Sequence, residues 1–125
     1  MELNKILTNF IIFAALALNI EFVLGDFDNI NEHNLNILYI AIVINIISTI
    51  AKFGENNELG NLIVSSSILA LVQLIITAIT WFYFDNYEHN LVENSREIVS
   101  IAFGALIFNS LSVIMLIIDT TRLKR

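Results

Sequence analysis

The sequence predicts an all-α polytopic membrane protein, with four transmembrane helices in a left-handed bundle and both termini in the cytoplasm. Of its 125 residues, 57% are hydrophobic and 14% are charged, whereas roughly a quarter of the residues in a soluble domain are charged. Four apolar runs are each about 20 residues long, the length with which a helix crosses a hydrocarbon core of about 30 Å. We therefore expect one transmembrane domain over residues 1–125, with spans at about 5–24, 35–53, 62–84 and 97–118.

The first span starts at Lys5 and continues to Leu24. The segment 15–17 resembles the small-residue cleavage site of a signal peptide, but the apolar run extends past it, so we expect the span to be retained. Glu21 is the only carboxylate inside an apolar run, and Asp26 follows in the next loop. Ionisable side chains at membrane depth often mark function, which makes Glu21 and Asp26 a candidate proton or cation site. The alternative is that Glu21 reaches the interface or pairs with a neighbour there.

Each span carries a line of small and polar residues at helical spacing, which we call the polar stripe. In three of the four spans an alanine stands four residues before the central asparagine. Spacings that alternate between 3 and 4 place these residues on one face of each helix and favour left-handed crossings near about +20°. The stripe comprises Thr8, Ala15, Asn19 and Asp26 in span 1; Ala41, Asn45, Ser48 and Lys52 in span 2; Ser66, Ala70, Gln73, Thr77 and Thr80 in span 3; and Ala102, Ala105, Asn109, Ser112 and Asp119 in span 4.

Two interpretations of the polar stripe are open. Lipid supplies no hydrogen-bond partners, so amides and hydroxyls should face protein or water. In one interpretation the stripe packs the helices together, since small residues allow close approach and amides bond across helices. In the other, amides from several subunits surround a hydrated path in an oligomer. The residues concerned in both are Asn19, Asn45, Ser48, Ser66, Gln73, Thr77, Asn109 and Ser112.

The placement of basic residues predicts the orientation. Lys5, Lys52 and the basic positions within 122–125 lie at one end of the predicted spans, and only Arg96 lies at the other. Because basic residues favour the cytoplasmic side, both termini are expected there. We expect Lys52, at a span end, to extend toward the lipid headgroups.

The two outer loops share the tetrapeptide Glu-His-Asn-Leu, at 32–35 and at 88–91. Carboxylates and imidazoles are metal ligands, so Glu32, His33, Glu88 and His89 are weak candidates for a metal site. The alternative is that the repetition arose by chance in a chain rich in Asn, Leu and Glu. A calcium loop of EF-hand type is excluded after Asp26, because the sixth position is not glycine and the twelfth is not glutamate. The outer carboxylates are either solubilising charges or a funnel that concentrates small cations.

Two parts of the sequence are similar to a known family: the stretch 18–26 and the block from Ala41 to Trp81. The block contains Asn45, Lys52-Phe53-Gly54-Glu55 and Gln73. Both parts resemble a family of small bacterial four-span inner-membrane proteins whose domain has no known function. The similarity covers about the first two-thirds of the chain, and it implies a bundle in the bacterial inner membrane without supplying an activity. The family pattern has an acidic residue two positions before the glutamine, where this chain has Leu71.

The sequence lacks the motifs of an enzyme, and we expect neither catalysis nor a cofactor. Its net charge of −6 argues against nucleic-acid binding. The function predicted is a homo-oligomeric, channel-like or ion-translocating bundle in the lipid bilayer, with small cations as candidate ligands. The alternative is a non-conducting accessory subunit of a larger membrane-protein complex, in which the stripe serves helix packing.

Overall fold

A computed structural model describes residues 3–53 and 57–123, which form four α-helices with no strand among them. The all-α fold class is therefore confirmed. Two short 3-10 helices, Ile30–Glu32 and Val92–Asn94, lie in the connections that precede the second and fourth helices. The four helices are α1 (Leu3–Val23), α2 (Leu35–Ala51), α3 (Glu58–Asn86) and α4 (Ser95–Leu123).

The helices α3 and α4 extend beyond the apolar runs at both ends. At the start of α3 the side chain of Asn57 accepts a hydrogen bond of 2.7 Å from the backbone N–H of Gly60, so the helix is capped in a polar segment. Asn34 caps α2 in the same way through the N–H of Asn36. An apolar pattern reports the part of a helix that suits lipid, whereas the caps decide where the helix begins.

Consecutive helices run antiparallel and form a closed ring, with α4 packed against α1. Asn45 of α2 contacts Ala15 of α1, and Ser112 of α4 bonds to α3 at Ile63. We call the end that holds residues 3 and 123 the terminal end, and the end that holds the connections 24–34 and 87–94 the loop end. Positions 124 and 125, which the orientation prediction uses, lie outside the described residues.

Three segments are long and apolar enough to cross a membrane: Leu3–Val23, Glu58–Asn86 and Val92–Thr121. Helix α2 is also apolar but has 17 residues, the lower limit of the usual range of about 17–25. Large apolar side chains lie exposed around the middle of the helices, among them Phe10, Val43, Ile76, Ile107 and Ile114. So much exposed apolar surface is typical of a protein that faces lipid.

The interior divides into two halves of different chemistry. Toward the loop end, Phe22, Leu38, Trp81, Ile98 and Val99 are buried together in one apolar cluster. Toward the terminal end the buried residues include many polar ones, which begin at Asn19 in α1 and at Asn45 in α2 and end at Lys52 and Asp119. The polar half of the interior is where the polar stripes meet.

Candidate functional site

A hydrogen bond between two asparagines lies at the centre of the polar half. The side-chain N–H of Asn109 donates to the side-chain oxygen of Asn45 over 3.0 Å. The Asn45 amide in turn donates to the carbonyl oxygen of Ala41 at 2.7 Å and reaches that of Ala15 at 3.4 Å. Both asparagines are fully buried. One amide pair therefore connects α1, α2 and α4.

The alanine four residues before Asn45 accepts a hydrogen bond from its amide, and an alanine of the neighbouring helix lies within reach. Helices α1 and α2 are antiparallel, and Asn45 lies opposite Ala15. Moving four residues along each antiparallel helix leads from Ala15 to Asn19 and from Asn45 to Ala41, so the same alanine and asparagine spacing occurs on both helices. Ala15 and Ala41 are both completely buried, and their small side chains let the two backbones approach closely.

A buried lysine lies closer to the terminal end, and its position corrects one expectation. Lys52 is only 6% exposed, and its ammonium nitrogen lies 3.3 Å from the hydroxyl oxygen of Ser67. The Ser67 hydroxyl also lies 2.7 Å from that of Thr49. The prediction that Lys52 extends toward the lipid headgroups is therefore wrong. Because its Cα lies on the interior face of α2, the side chain follows the polar interior instead of the surface.

The stripe of α3 is rotated from the predicted one. Ser67 is buried, whereas Ser66, Gln73 and Thr80 are only half-buried. Either serine can share a helix face with Ala70 and Thr77, because Ser66 lies four residues and Ser67 three residues before Ala70. About 100° of rotation around the helix axis separates the two serines. Ser67 and Thr49 are thus the residues that sequence reasoning missed. A run of three consecutive serines offers no sign of which one faces inward.

The Gln73 side chain packs against Gly104 of α4. A Cβ atom added at Gly104 would lie 2.9 Å from the amide nitrogen of Gln73, so glycine leaves room for the amide. Thr77, which is fully buried, donates to the backbone carbonyl oxygen of Gln73 over 2.8 Å. Gln73 therefore lies between α3 and α4, at the edge of the polar interior.

Ser112 and Asp119 complete the stripe on α4. The Ser112 hydroxyl donates to the carbonyl oxygen of Ile63 over 2.7 Å and so bonds α4 to α3. Asp119 is buried near the terminal end. Together with Asn109, these residues occupy one face of α4, as the sequence predicts.

Several buried polar atoms have no hydrogen-bond partner among the described residues. Both side-chain atoms of Asn19 are unpartnered, as are the Ser48 hydroxyl and the Asn109 side-chain oxygen. Buried polar atoms without partners are costly, and ordered water often satisfies them. The polar half therefore contains hydrogen-bond donors and acceptors that are available to a water molecule or a small polar ligand.

The candidate proton or cation site at Glu21 and Asp26 lies on the outside. Both residues are exposed. Asp26 uses one carboxylate oxygen to accept the backbone N–H of Asp28 at 2.9 Å, in the connection between α1 and α2. The structure therefore places these carboxylates outside the polar interior, and their ionic role stays a prediction.

The proposed metal ligands are not brought together. The described residues contain no group of three or more His, Cys, Asp or Glu side chains that could hold a metal ion. His33 is buried, and its two ring nitrogens lie 2.7 and 2.9 Å from the carbonyl oxygens of Phe22 and Asp26. Both ring nitrogens therefore face backbone carbonyl oxygens of the chain and not the other candidate ligands. Glu32 accepts from the backbone N–H of Asp26, while Glu88 and His89 lie exposed on the other connection.

An ion pair joins the loop end to α4. Arg96 donates through Nε and Nη2 to the two carboxylate oxygens of Asp28, each over 2.8 Å. The hydrogen bond from Arg96 lowers the pKa of Asp28. Nearby, the Ser95 hydroxyl donates to the carbonyl oxygen of Phe27 over 2.8 Å. The connection between α1 and α2 is thus fastened to the start of α4.

A cleft opens between α1 and α4 at the terminal end. Its volume is about 350 Å³, and its lining is polar: Asn4, Lys5, Thr8, Asn9 and Thr120. A smaller, mostly apolar cleft of about 140 Å³ continues beside it and shares Asn9 and Thr120. The larger cleft is thus lined by polar residues and lies at the terminal end of the bundle.

A model of DUF6394, a family of unknown function, matches residues 32–120. The expected resemblance to a family of unknown function is thereby confirmed, but its extent differs, since the match starts after α1 and includes most of α4. The stretch 18–26 lies outside the match. No curated protein and no solved structure matches the chain.

Proposed function

We propose that this chain, which belongs to DUF6394, a family of unknown function, is a membrane-embedded four-helix bundle held together by its polar stripe. In this proposal the bundle serves a larger membrane complex as a non-conducting accessory subunit. All four helices cross the bilayer, with α2 completed by its flanking residues.

The bond between Asn45 and Asn109 carries the proposal. The Asn109 amide donates to Asn45 inside a single chain, and the Ser112 hydroxyl donates to the backbone of α3. Residues used in this way serve helix packing, since their polar atoms point to neighbouring helices of the same subunit. The outward faces are instead covered by apolar side chains such as Val43 and Ile107, which suit lipid.

The apolar cluster at the loop end also supports a non-conducting bundle. Phe22, Leu38, Trp81, Ile98 and Val99 lie between the polar half of the interior and the loops. An apolar constriction of this kind excludes water and raises the barrier to an ion. Within one chain, the cluster thus separates the polar interior from the loop end.

The cleft between α1 and α4 favours a docking role. Asn4, Lys5, Thr8, Asn9 and Thr120 give it amide, hydroxyl and ammonium groups at the terminal end. A partner that presents carboxylates or backbone carbonyls fits this lining by charge and hydrogen bonding.

We further propose that the protein resides in the bacterial inner membrane with the terminal end in the cytoplasm. The distribution of Lys5, Lys52 and the basic positions within 122–125 supports this orientation. Reporter fusions that are active only in the cytoplasm or only outside it test the orientation. A C-terminal fusion active outside the cytoplasm would overturn it.

Ion flux from liposomes tests the non-conducting function. Purified protein in vesicles is assayed with K⁺, Na⁺, Ca²⁺, H⁺ and Cl⁻, and we expect tight vesicles that contain folded protein. The same protein, with an affinity tag, should retain a membrane partner after crosslinking in cells, and Lys5→Glu should weaken that retention. Flux that changes selectivity on Asn45→Leu would contradict the proposal.

The unpartnered polar atoms favour a second candidate function, a channel-like or ion-translocating bundle that works as a homo-oligomer. Asn19, Ser48 and Asn109 have spare hydrogen-bonding capacity in the interior, and such groups suit a hydrated path. Conduction then requires the apolar cluster to open, for example on subunit association. Leu38→Ser, which adds a hydroxyl within that cluster, should raise flux in this case and should have no effect on a bundle that never conducts.

A further inference from the structure

We propose that the buried ammonium of Lys52, together with the hydroxyls around it, is a binding site for a small monovalent inorganic anion such as chloride. The site lies in the polar half of the bundle and consists of Lys52, Thr49 and Ser67, with Ser48 beside them in sequence. Binding here does not depend on conduction, so occupancy and flux can be measured separately.

The first argument is charge. Lys52 is 6% exposed, and its one hydrogen-bond partner among the described residues is the Ser67 hydroxyl. A hydroxyl carries no charge, and an ammonium in an environment of low polarity is costly unless an opposite charge accompanies it. A bound anion supplies that charge without requiring a carboxylate from the protein.

The second argument is the donor set. An ammonium has three N–H donors, and Ser67 uses one of them at 3.3 Å. The hydroxyl of Ser48 has no partner, although it is fully buried. The hydroxyls of Thr49 and Ser67 share one hydrogen bond between them, which leaves one of the two protons free to donate. A positively charged, donor-rich site suits an anion, whereas a cation requires surplus acceptors.

The third argument is access. Lys52 follows the last residue of α2, toward the terminal end, while the apolar cluster that contains Phe22 and Leu38 closes the other side. The anion therefore enters from the terminal end and stops below the cluster. The carboxylates of Glu21 and Asp26 are exposed, away from this interior, and the buried carboxylate of the polar half, Asp119, belongs to α4 and not to the helices α2 and α3 that provide the site.

Chloride binding to the purified, detergent-solubilised full chain tests the proposal. The line width of ³⁵Cl in NMR is measured with wild-type protein and with Lys52→Met, which keeps the length of the side chain and removes its charge. We expect wild type to broaden the chloride line, Lys52→Met to reduce apparent affinity by about tenfold or more, and Ser66→Ala, at the half-buried neighbour of Ser67, to have no effect. Equal broadening by wild type and Lys52→Met, or none by wild type, would overturn the site.

Thermal unfolding provides a second measurement if Lys52→Met does not fold. The melting temperature Tm of wild type is compared in chloride and in gluconate at equal ionic strength, and chloride should raise it by about 4 °C. The rise should be smaller in Ser67→Ala, which keeps the lysine and removes its hydroxyl partner, and unchanged in Ser66→Ala. An identical Tm of wild type in the two salts would reject the proposal.

Discussion

Asn45 and Asn109 are fully buried on different helices, and the amide nitrogen of Asn109 lies 3.0 Å from the side-chain oxygen of Asn45. Because Asn45 also donates to the backbone of α2 and reaches that of α1, this pair joins three helices. Residues from three separate spans therefore contact one another at this pair.

Replacing either amide should destabilise the bundle, and the two effects should not add. Asn45→Leu and Asn109→Leu each leave a buried polar partner unsatisfied, which costs about 1–3 kcal/mol. In the double variant that penalty is shared, so we expect a coupling energy of about 0.6–1.7 kcal/mol. Reversible unfolding in mixed micelles measures it, with Asn61→Leu, at an exposed position, as the control. Additive losses would show that the bond does not couple the helices.

The neighbouring serines of α3 should differ in their contribution. Ser67→Ala removes the hydroxyl that contacts both Thr49 and Lys52, and we expect a loss of about 1–3 kcal/mol in the free energy of unfolding. Ser66→Ala, one residue away and half-buried, should change that free energy by less than about 0.5 kcal/mol. The same unfolding assay compares them. Equal losses would mean that Ser67 does not face the interior.

His33 should stabilise the loop end more than the histidine of the repeated tetrapeptide. His33→Leu removes two contacts to backbone carbonyls, at Phe22 and Asp26, and should lower the free energy of unfolding by about 1–3 kcal/mol. His89→Asn is the control, because His89 is exposed and its positive φ of 55° suits asparagine as well as histidine. Amide hydrogen exchange over residues 24–34 should also become faster in His33→Leu alone. Unchanged exchange would contradict the anchoring role.

The ion pair of Asp28 and Arg96 predicts a dependence on pH. Arg96 lowers the pKa of Asp28, so its contribution to stability is present above the ordinary carboxyl pKa of about 3.9 and is lost as the pH falls through the lower folded value. NMR titration of the Asp28 carboxyl should give a higher pKa in Arg96→Gln and in high salt. The pair is exposed, with the two side chains 66% and 61% accessible, so the effect on stability should be small. An unchanged titration in Arg96→Gln would refute the pairing.

Much of the fold follows from the sequence, because apolar runs and polar spacing are local properties. The runs predict four helices, and the spacing of Asn19, Asn45 and Asn109 predicts which faces turn inward; all three are buried. The ends of α3 and α4 were predicted less well, since caps such as Asn57 act outside the apolar pattern.

The sequence by itself determined the helical class, the apolar surface and the inward faces of α1, α2 and α4. Only the tertiary structure decided which helices are neighbours, that Ser67 faces inward instead of Ser66, and that Lys52 is buried instead of reaching the headgroups. The physical reason is that helical periodicity defines a face only to about one residue, and several faces here are equally polar. The choice between them depends on which donors and acceptors the packed partner helix presents, as Thr49 and Lys52 do for Ser67.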